Sequence, residues 1–296
     1  MPATTGVLTA AQAGTITLGG DLTVNRMGYG AMRITGKGIW GPPPDPAAAI
    51  ATLRRAVELG VNFIDTADSY GPNVSEELIA EALFPYPKDL VITTKVGWTR
   101  HGAGVWQHNA SPAHIVEAIE GSLKRLRLDR IDIYQLHVPD PASSFDASME
   151  TLAKLKEQGK IRHVALSNVT LEHIERARKI VPIVSVQNRY SFSDREWDYV
   201  LDHCEANGIA FMPWGPMAQG RKANEVVEKI AAARNTTTAV VSLAWLLRRS
   251  PVTLLIPGTC SVKHVEENVG AAAFRLTDAE FAELGAVVPK PYWLRG

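Results

Sequence analysis

Short runs rich in Ile, Val and Leu alternate along the chain with longer segments whose apolar residues recur at the helical period. Eight of these runs have the composition of strands that are buried on both faces. They cover 27–32, 61–66, 90–95, 131–136, 161–167, 183–187, 208–214 and 252–257. Strands of this kind are typical of a parallel sheet covered by helices. The alternation therefore predicts an α/β fold, a single (β/α)8 TIM barrel that makes residues 1–296 one domain.

Helical segments separate the strand candidates. They cover 46–59, 75–83, 111–126, 145–158, 171–180, 194–207 and 238–249. Residues that begin and end helices support this assignment. Ser111 supplies an N-cap and Pro112 the fixed φ of a first helical position. Gly60, Gly159 and Gly208 stand where helices should end, and an apolar run follows each of them.

The two ends of the chain lie outside the alternation. Residues 15–27 (TITLGGDLTVNRM) predict two short strands joined by a tight turn at the Gly-Gly-Asp of 19–21, an N-terminal β-hairpin. We expect residues 1–14 to be flexible. Residues 277–296 predict one extra helix and a short C-terminal extension.

Composition limits the class of partner. The chain has 296 residues, 46% of them hydrophobic, which predicts a globular protein with a sizeable core. Lys+Arg 31 equal Asp+Glu 31, so no net positive field attracts nucleic acid. No apolar run reaches the roughly 18 to 20 residues that span a membrane, and the start lacks a signal peptide, so we expect a cytoplasmic protein. Cys204 and Cys260 are too far apart for a CxxC zinc pair, and no metal site is predicted; the oligomeric state stays open.

Four titratable residues stand at predicted strand ends. In a barrel of this kind, function is built from the carboxyl ends of the strands and the loops that follow. Asp65 ends the second strand and Tyr70 lies in its loop, whereas Lys95 and His137 end the third and fourth strands. Each alone has a structural explanation, such as a loop cap or an ion pair. Burying all of them together costs desolvation energy that a purely structural site need not incur, so we predict an active site.

Six separated motifs resemble the aldo-keto reductases. They are GVNFIDTADSYG (60–71), Lys95, IDIYQLH (131–137), VALSN (164–168), VSVQNRY (184–190), and IPG (256–258) followed by EENVGA (266–271). The agreement extends over residues 27–275, and the N-terminal hairpin resembles the one that closes the barrel bottom in that family. The resemblance implies an NAD(P)H-dependent oxidoreductase that reduces aldehydes or ketones, small-molecule carbonyl substrates, to alcohols by hydride transfer.

The resemblance also implies a role for each of the four residues. Tyr70 would be the general acid that protonates the carbonyl oxygen. Lys95, held by Asp65, would lower the pKa of that phenol from its ordinary value of about 10. His137 would donate a hydrogen bond to the carbonyl oxygen.

On the cofactor side, the resemblance implies residues at the ends of the later strands. Ser167, Asn168 and Gln187 would bind the nicotinamide carboxamide. Trp214 takes the place of a tyrosine that usually stacks on the ring. The other predicted cofactor residues are Gly215, Pro216, Met217, Gln219, Gly258, Thr259, Lys263, His264, Glu267 and Asn268.

The phosphate-binding region departs from the family. Many relatives have IPKS and then an Arg, whereas this chain has Gly-Thr at 258–259 and His264 at the Arg position. Lys263 and His264 at a helix start still suit a phosphate, and Arg221 and Lys222 would add positive charge. We therefore predict NADPH, with NADH as the alternative.

Tryptophans in the loops predict the substrate pocket. Trp40, Trp98 and Trp106 would line it and favour flat or apolar carbonyl compounds. The loop 97–110 is rich in glycine, and we hypothesise that it is a mobile flap. Because the C-terminal extension is short, we expect broad use of aldehydes and ketones.

Two other functions remain open. An aldolase-like barrel would use Lys95 as a Schiff-base nucleophile, and borohydride trapping with a carbonyl substrate would reveal the adduct. A cofactor-binding regulatory subunit with slow turnover would resemble family members that attach to ion channels.

Overall fold

A computed structural model describes residues 8–217 and 220–287. The strands are β1 (Thr15–Leu18), β2 (Leu22–Asn25), β3 (Tyr29–Gly30), β4 (Phe63–Asp65), β5 (Val91–Val96), β6 (Trp98–Gly102), β7 (Val105–His108), β8 (Ile131–Leu136), β9 (Ile161–Ser167), β10 (Ile183–Arg189) and β11 (Ala210–Trp214). The helices are α1 (Pro46–Glu58), α2 (Val74–Leu83), α3 (Pro112–Leu126), α4 (Phe145–Glu157), α5 (Leu171–Arg178), α6 (Asp198–Ala206), α7 (Arg221–Ala233), α8 (Thr238–Arg249), α9 (Val262–Gly270) and α10 (Asp278–Gly285).

Seven parallel strands form one sheet in the order β3-β4-β5-β8-β9-β10-β11. The segment after α8 joins its two edges: Thr253 bridges Phe211 in β11, and Leu255 bridges Met27 just before β3. The Leu254 N–H donates to the Phe211 carbonyl at 2.9 Å. The predicted (β/α)8 barrel is confirmed, although its eighth run contributes these bridges rather than a full strand.

The first predicted strand, 27–32, is shorter in the structure. Only Tyr29–Gly30 is extended, and a 3-10 helix covers Ala31–Ile34. A Cβ at Gly30 would lie 2.5 Å from the Ile256 carbonyl oxygen, so a glycine is needed where the closing segment approaches.

Helices occupy the predicted segments with few changes. The predicted helix 194–207 begins only at Asp198, because Ser191 and Asp194 exchange backbone hydrogen bonds in a tight turn. Helix α7 is an addition that the sequence motifs do not assign, and α10 is the predicted extra helix near the C-terminus. None of the helices in the described ranges is long and apolar enough to cross a membrane.

The N-terminal hairpin β1–β2 packs on one end of the barrel. Leu18 and Val24 are buried with residues near the strand starts, including Phe63 and Ile133. Of the segment 1–14, residues 1–7 lie outside the described residues, and Ala10–Ala13 form a 3-10 helix. The hairpin thus covers the end of the barrel where the strands begin, and the polar side chains described below lie at the opposite end, where the strands finish.

Candidate active site

The predicted proton donor Tyr70 meets Asp65 and Lys95 at the carboxyl ends of β4 and β5. Lys95 is fully buried, and its Nζ donates to Asp65 Oδ2 at 2.7 Å and to the Thr66 carbonyl at 2.8 Å. The same Nζ lies 3.4 Å from the Tyr70 hydroxyl. The structure therefore brings a buried ion pair directly against the phenol.

Two side-chain amides hold the second oxygen of Asp65. Gln135 Nε2 donates to Asp65 Oδ1 at 2.8 Å, and Gln187 Nε2 donates to it at 3.0 Å. A buried carboxylate is tolerable only when its oxygens are bonded in this way. Gln135 was not among the predicted site residues, although it lies two residues before His137 and so shares the inward face of β8.

The pKa of Tyr70 shifts in the direction opposite to the expected one. Burial raises the pKa of this phenol, and the nearby Lys95 ammonium opposes the rise without cancelling it. The sequence predicts a lowered pKa because it shows the charge partner but not the depth of burial. The consequence is a phenol that keeps its proton at neutral pH.

His137 is a neutral imidazole at the same place. Burial, and then the Lys95 charge, hold the pKa of His137 well below its ordinary value. Its ring lies edge-on to Tyr70, with centroids 5.8 Å apart. Its Nδ1 is buried and finds no hydrogen-bond partner among the residues that the structure describes.

Replacing His137 by glutamine should make the free energy of unfolding less sensitive to acid. An unfolded chain protonates histidine below about pH 6.5. Because the pKa of His137 is lowered in the folded protein, the folded state resists this protonation. The contribution of neutral His137 to the free energy of unfolding is therefore complete above that pH, and it is lost as the pH falls by up to about 1.4 kcal/mol per pH unit. Urea unfolding at neutral and mildly acidic pH measures the difference. His101→Gln, at an exposed position, is the control. Equal acid sensitivity of the wild type and His137→Gln would contradict the lowered pKa of His137.

A cavity of about 830 Å³ opens above these residues. Asp65, Tyr70 and His137 line it, while Lys95 lies beneath. Trp98 and Trp106 also line it. The predicted cofactor residues at its surface are Ser167, Asn168, Gln187, Trp214, Gly215, Pro216, Met217, Gly258, Thr259, His264, Glu267 and Asn268.

Of the predicted cofactor and substrate residues that the structure describes, Lys263 and Trp40 are not at this surface. Gln219 lies outside the described residues. Lys263 is 81% exposed and its Nζ lies 3.9 Å from Glu267. Trp40 does not line the cavity described here but packs beside Arg100, whose Cζ lies 5.8 Å from the Trp40 ring centroid.

Several lining residues were not predicted from the sequence. They are Gly30, Met32, Arg33, Thr237, Thr238, Ala239, Ile256 and Pro257. Arg33 is exposed, and within the described ranges no carboxylate forms an ion pair with it. Its position just after β3 follows the strand-end rule that identified Asp65, so that rule could have found it.

Asn168 connects the cofactor side of the cavity to His137. Trp214 Nε1 donates to Asn168 Oδ1 at 3.0 Å, and Asn168 Nδ2 donates to the His137 carbonyl at 3.0 Å. The backbone of Asn168 is left-handed, with φ 57°. The Trp214 ring, 38% exposed, is thereby held at the cavity edge.

The loop 97–110 forms a hairpin, β6–β7, rather than an irregular segment. The Trp98 and Trp106 rings meet at nearly right angles with centroids 5.7 Å apart, and we call this pair the aromatic wall. The Trp98 ring also lies 6.4 Å from that of His137. The wall therefore stands beside the predicted carbonyl site, and movement of the hairpin stays a hypothesis.

Comparisons with known proteins show which proteins the chain is similar to. The model of the Aldo/keto reductase family matches residues 26–289. An uncharacterized oxidoreductase of Schizosaccharomyces pombe is 46% identical over 284 residues, covering 95% of this chain and 92% of that protein. A pyridoxine 4-dehydrogenase of Escherichia coli is 42% identical over 280 residues, covering 92% and 98%. An aldo/keto reductase of Klebsiella pneumoniae, solved with NADP and acetate, has a TM-score of 0.78 at 27% identity, covering 94% of this chain and 96% of that one.

Proposed function

Because the chain belongs to the Aldo/keto reductase family, we propose that it reduces aldehydes and ketones to alcohols with NADPH, using Tyr70 as the proton donor. The observation that carries the proposal is the buried contact of Lys95 Nζ with both Asp65 and the Tyr70 hydroxyl, beneath a cavity edged by His137. Such a pairing of a phenol with an ammonium serves proton transfer.

The side chains account for the proton chemistry. NADPH, when bound in this cavity, would supply a hydride for the carbonyl carbon. As negative charge develops on the carbonyl oxygen, the neutral imidazole of His137 donates a hydrogen bond that orients and stabilises it. Tyr70 gives its proton to that oxygen, and the phenolate left behind is stabilised by Lys95 at 3.4 Å. Solvent then restores the phenol.

The residues present fit a dinucleotide. Ser167, Asn168 and Gln187 offer amide and hydroxyl groups at the cavity wall. At the other end, the N-cap Ser261 of α9 makes no side-chain capping bond, so the helix start is open to a phosphate. Arg33 is exposed and lines the cavity, with its Cγ beside Gly258, so its guanidinium would supply the positive charge that the Gly-Thr sequence at 258–259 lacks. A structural neighbour solved in complex with NADPH supports this choice over NADH.

Replacing Arg33 by methionine should weaken NADPH binding. A hydrogen bond from a guanidinium to a phosphate contributes about 1.5–3 kcal/mol, so we expect a dissociation constant at least about tenfold higher. Quenching of tryptophan fluorescence by NADPH, with Trp214 as the reporter, measures it, and a parallel NADH titration shows whether the extra phosphate is involved. Arg178→Met is the control, because Arg178 lies at the end of α5, pairs with Glu175 and is not at the cavity surface. Equal losses in the two variants would contradict a specific role of Arg33.

The substrate panel tests the proposed activity. Oxidation of NADPH is followed with 4-nitrobenzaldehyde, an aliphatic aldehyde, a ketone and pyridoxal, the last because a relative is named a pyridoxine 4-dehydrogenase. We expect turnover of several of these compounds. Absence of NADPH oxidation with all of them would reject the reductase and leave the regulatory subunit, and turnover of one compound alone would contradict broad use.

The Schiff-base alternative is disfavoured by the state of Lys95. Burial alone would lower its pKa, but Asp65 and Tyr70 outweigh that effect, so the pKa of Lys95 is raised. An amine that stays protonated does not attack a carbonyl.

A further inference from the structure

We propose that Arg100 is a positioning residue that fixes the aromatic wall against the loop carrying Tyr70. Arg100 touches none of the reacting groups. It is 8% exposed, and among the described residues no carboxylate pairs with it. A buried cation without a carboxylate partner must find its stabilisation elsewhere, and its contacts show where.

Within the part of the chain that the structure describes, Arg100 donates only to backbone carbonyls, and these belong to three segments. Within its own hairpin, Nε donates to the Val105 carbonyl at 3.1 Å. Nη1 donates to the carbonyls of Ile39 at 2.9 Å and Ser69 at 3.0 Å. Nη2 donates to the Gly38 carbonyl at 3.0 Å. The rigid, planar fork of a guanidinium can reach these acceptors together, which an ammonium cannot do.

One of these acceptors immediately precedes the proposed proton donor. The Ser69 carbonyl belongs to the residue before Tyr70. The residue after Tyr70, Gly71, donates a hydrogen bond from its N–H to the Ile39 carbonyl at 3.3 Å. Arg100 thus holds two carbonyls that flank the Tyr70 backbone. Displacement of this backbone would move the phenol relative to Lys95.

The same guanidinium supports the aromatic wall. Its Cζ lies 3.6 Å from the centroid of the Trp106 ring, a close cation–π contact. Trp106 contacts Trp98, whose ring lies against His108 at 4.2 Å and faces His137. A single side chain therefore sets the distance between the wall that receives a planar substrate and the group that protonates it.

The test compares Arg100→Met and Arg100→Lys with Arg26→Met. Arg26 is a matched control, because it also donates to three backbone carbonyls, those of Thr253, Leu247 and Ser250, but does not line the cavity. Removing either guanidinium lowers stability, whereas only Arg100 should affect substrate handling. The kinetic measurement rests on the proposed function.

For Arg100→Met we expect KM for 4-nitrobenzaldehyde to rise about tenfold or more, because the aromatic wall that binds the substrate is no longer held by the guanidinium. We expect a smaller fall in kcat, because a displaced Tyr70 loses part of its orientation advantage. NADPH affinity should stay unchanged. Arg100→Lys keeps the positive charge but lacks the planar fork, so we expect a KM between those of the wild type and Arg100→Met. Arg26→Met should keep the wild-type KM at temperatures where both variants are folded. A wild-type KM in Arg100→Met, or an equal rise in Arg26→Met, overturns the inference.

Hydrogen exchange provides an outcome that needs no turnover. The amides of β6 and β7 should exchange faster in Arg100→Met but not in Arg26→Met, and the circular dichroism of the coupled Trp98–Trp106 pair should change only in the former. If the wild-type protein fails to reduce any carbonyl, the proposed function fails while this measurement still decides the role of Arg100. Unchanged hairpin exchange in Arg100→Met would reject it.

Discussion

Replacing Tyr70 by phenylalanine should lower kcat for carbonyl reduction by about 10²- to 10⁴-fold, the usual contribution of a positioned general acid. The phenylalanine ring keeps the packing of a side chain that is 6% exposed, so the loss reports the hydroxyl alone. NADPH affinity should be unchanged, because the phenol acts on the carbonyl oxygen. Steady-state NADPH oxidation with 4-nitrobenzaldehyde, together with fluorescence quenching by NADPH, separates the two effects.

Tyr134→Phe is the matched control. Tyr134 is fully buried in β8, does not line the cavity, and its hydroxyl has no hydrogen-bond partner among the described residues. Its removal should leave kcat unchanged and should not destabilise the fold. If Tyr70→Phe retains wild-type activity, or if both variants lose it equally, Tyr70 is not the proton donor.

Replacing Lys95 by methionine should lower the free energy of unfolding more than any other substitution proposed above, and it should also lower kcat. The change leaves the Asp65 carboxylate buried without its cation, and breaking a buried ion pair in this way costs about 3–5 kcal/mol. Because the folded pKa of Lys95 is raised, the contribution of its ammonium is complete at neutral pH and is lost only as the pH rises through that folded value. Denaturant unfolding at neutral pH measures the full effect.

A double variant separates the charge from the chemistry. In Asp65→Asn with Lys95→Met, the asparagine oxygen still accepts from Gln135 and Gln187, and no unpaired charge is buried. We expect the free energy of unfolding to recover most of the loss seen in Lys95→Met, while kcat stays low because no ammonium faces Tyr70. Recovery of activity along with stability would show that Lys95 is structural only.

The predicted residues whose positions depend on their sequence neighbours were placed correctly, whereas Trp40, whose position depends on contacts between distant segments, was not. Asp65, Lys95 and His137 were found from strand ends, because the end of an apolar run is visible locally and parallel strands bring their carboxyl ends to one rim. Gln135 follows the same alternation. Trp40 was expected in the pocket on its residue type alone, and its actual position depends on a loop held by Arg100 across the barrel mouth.

The amino-acid sequence already specified the barrel, its hairpin and the four titratable residues at the rim, because strand period, helix period and capping signals are read from neighbouring residues. The tertiary structure alone decided two matters: the raised pKa of Tyr70, and the hydrogen bonds of Arg100 to three separate segments. Burial and charge proximity depend on distant parts of the chain, such as the Arg100 bond to a carbonyl 62 residues away. No local pattern encodes such a distance, since it exists only after the barrel has closed.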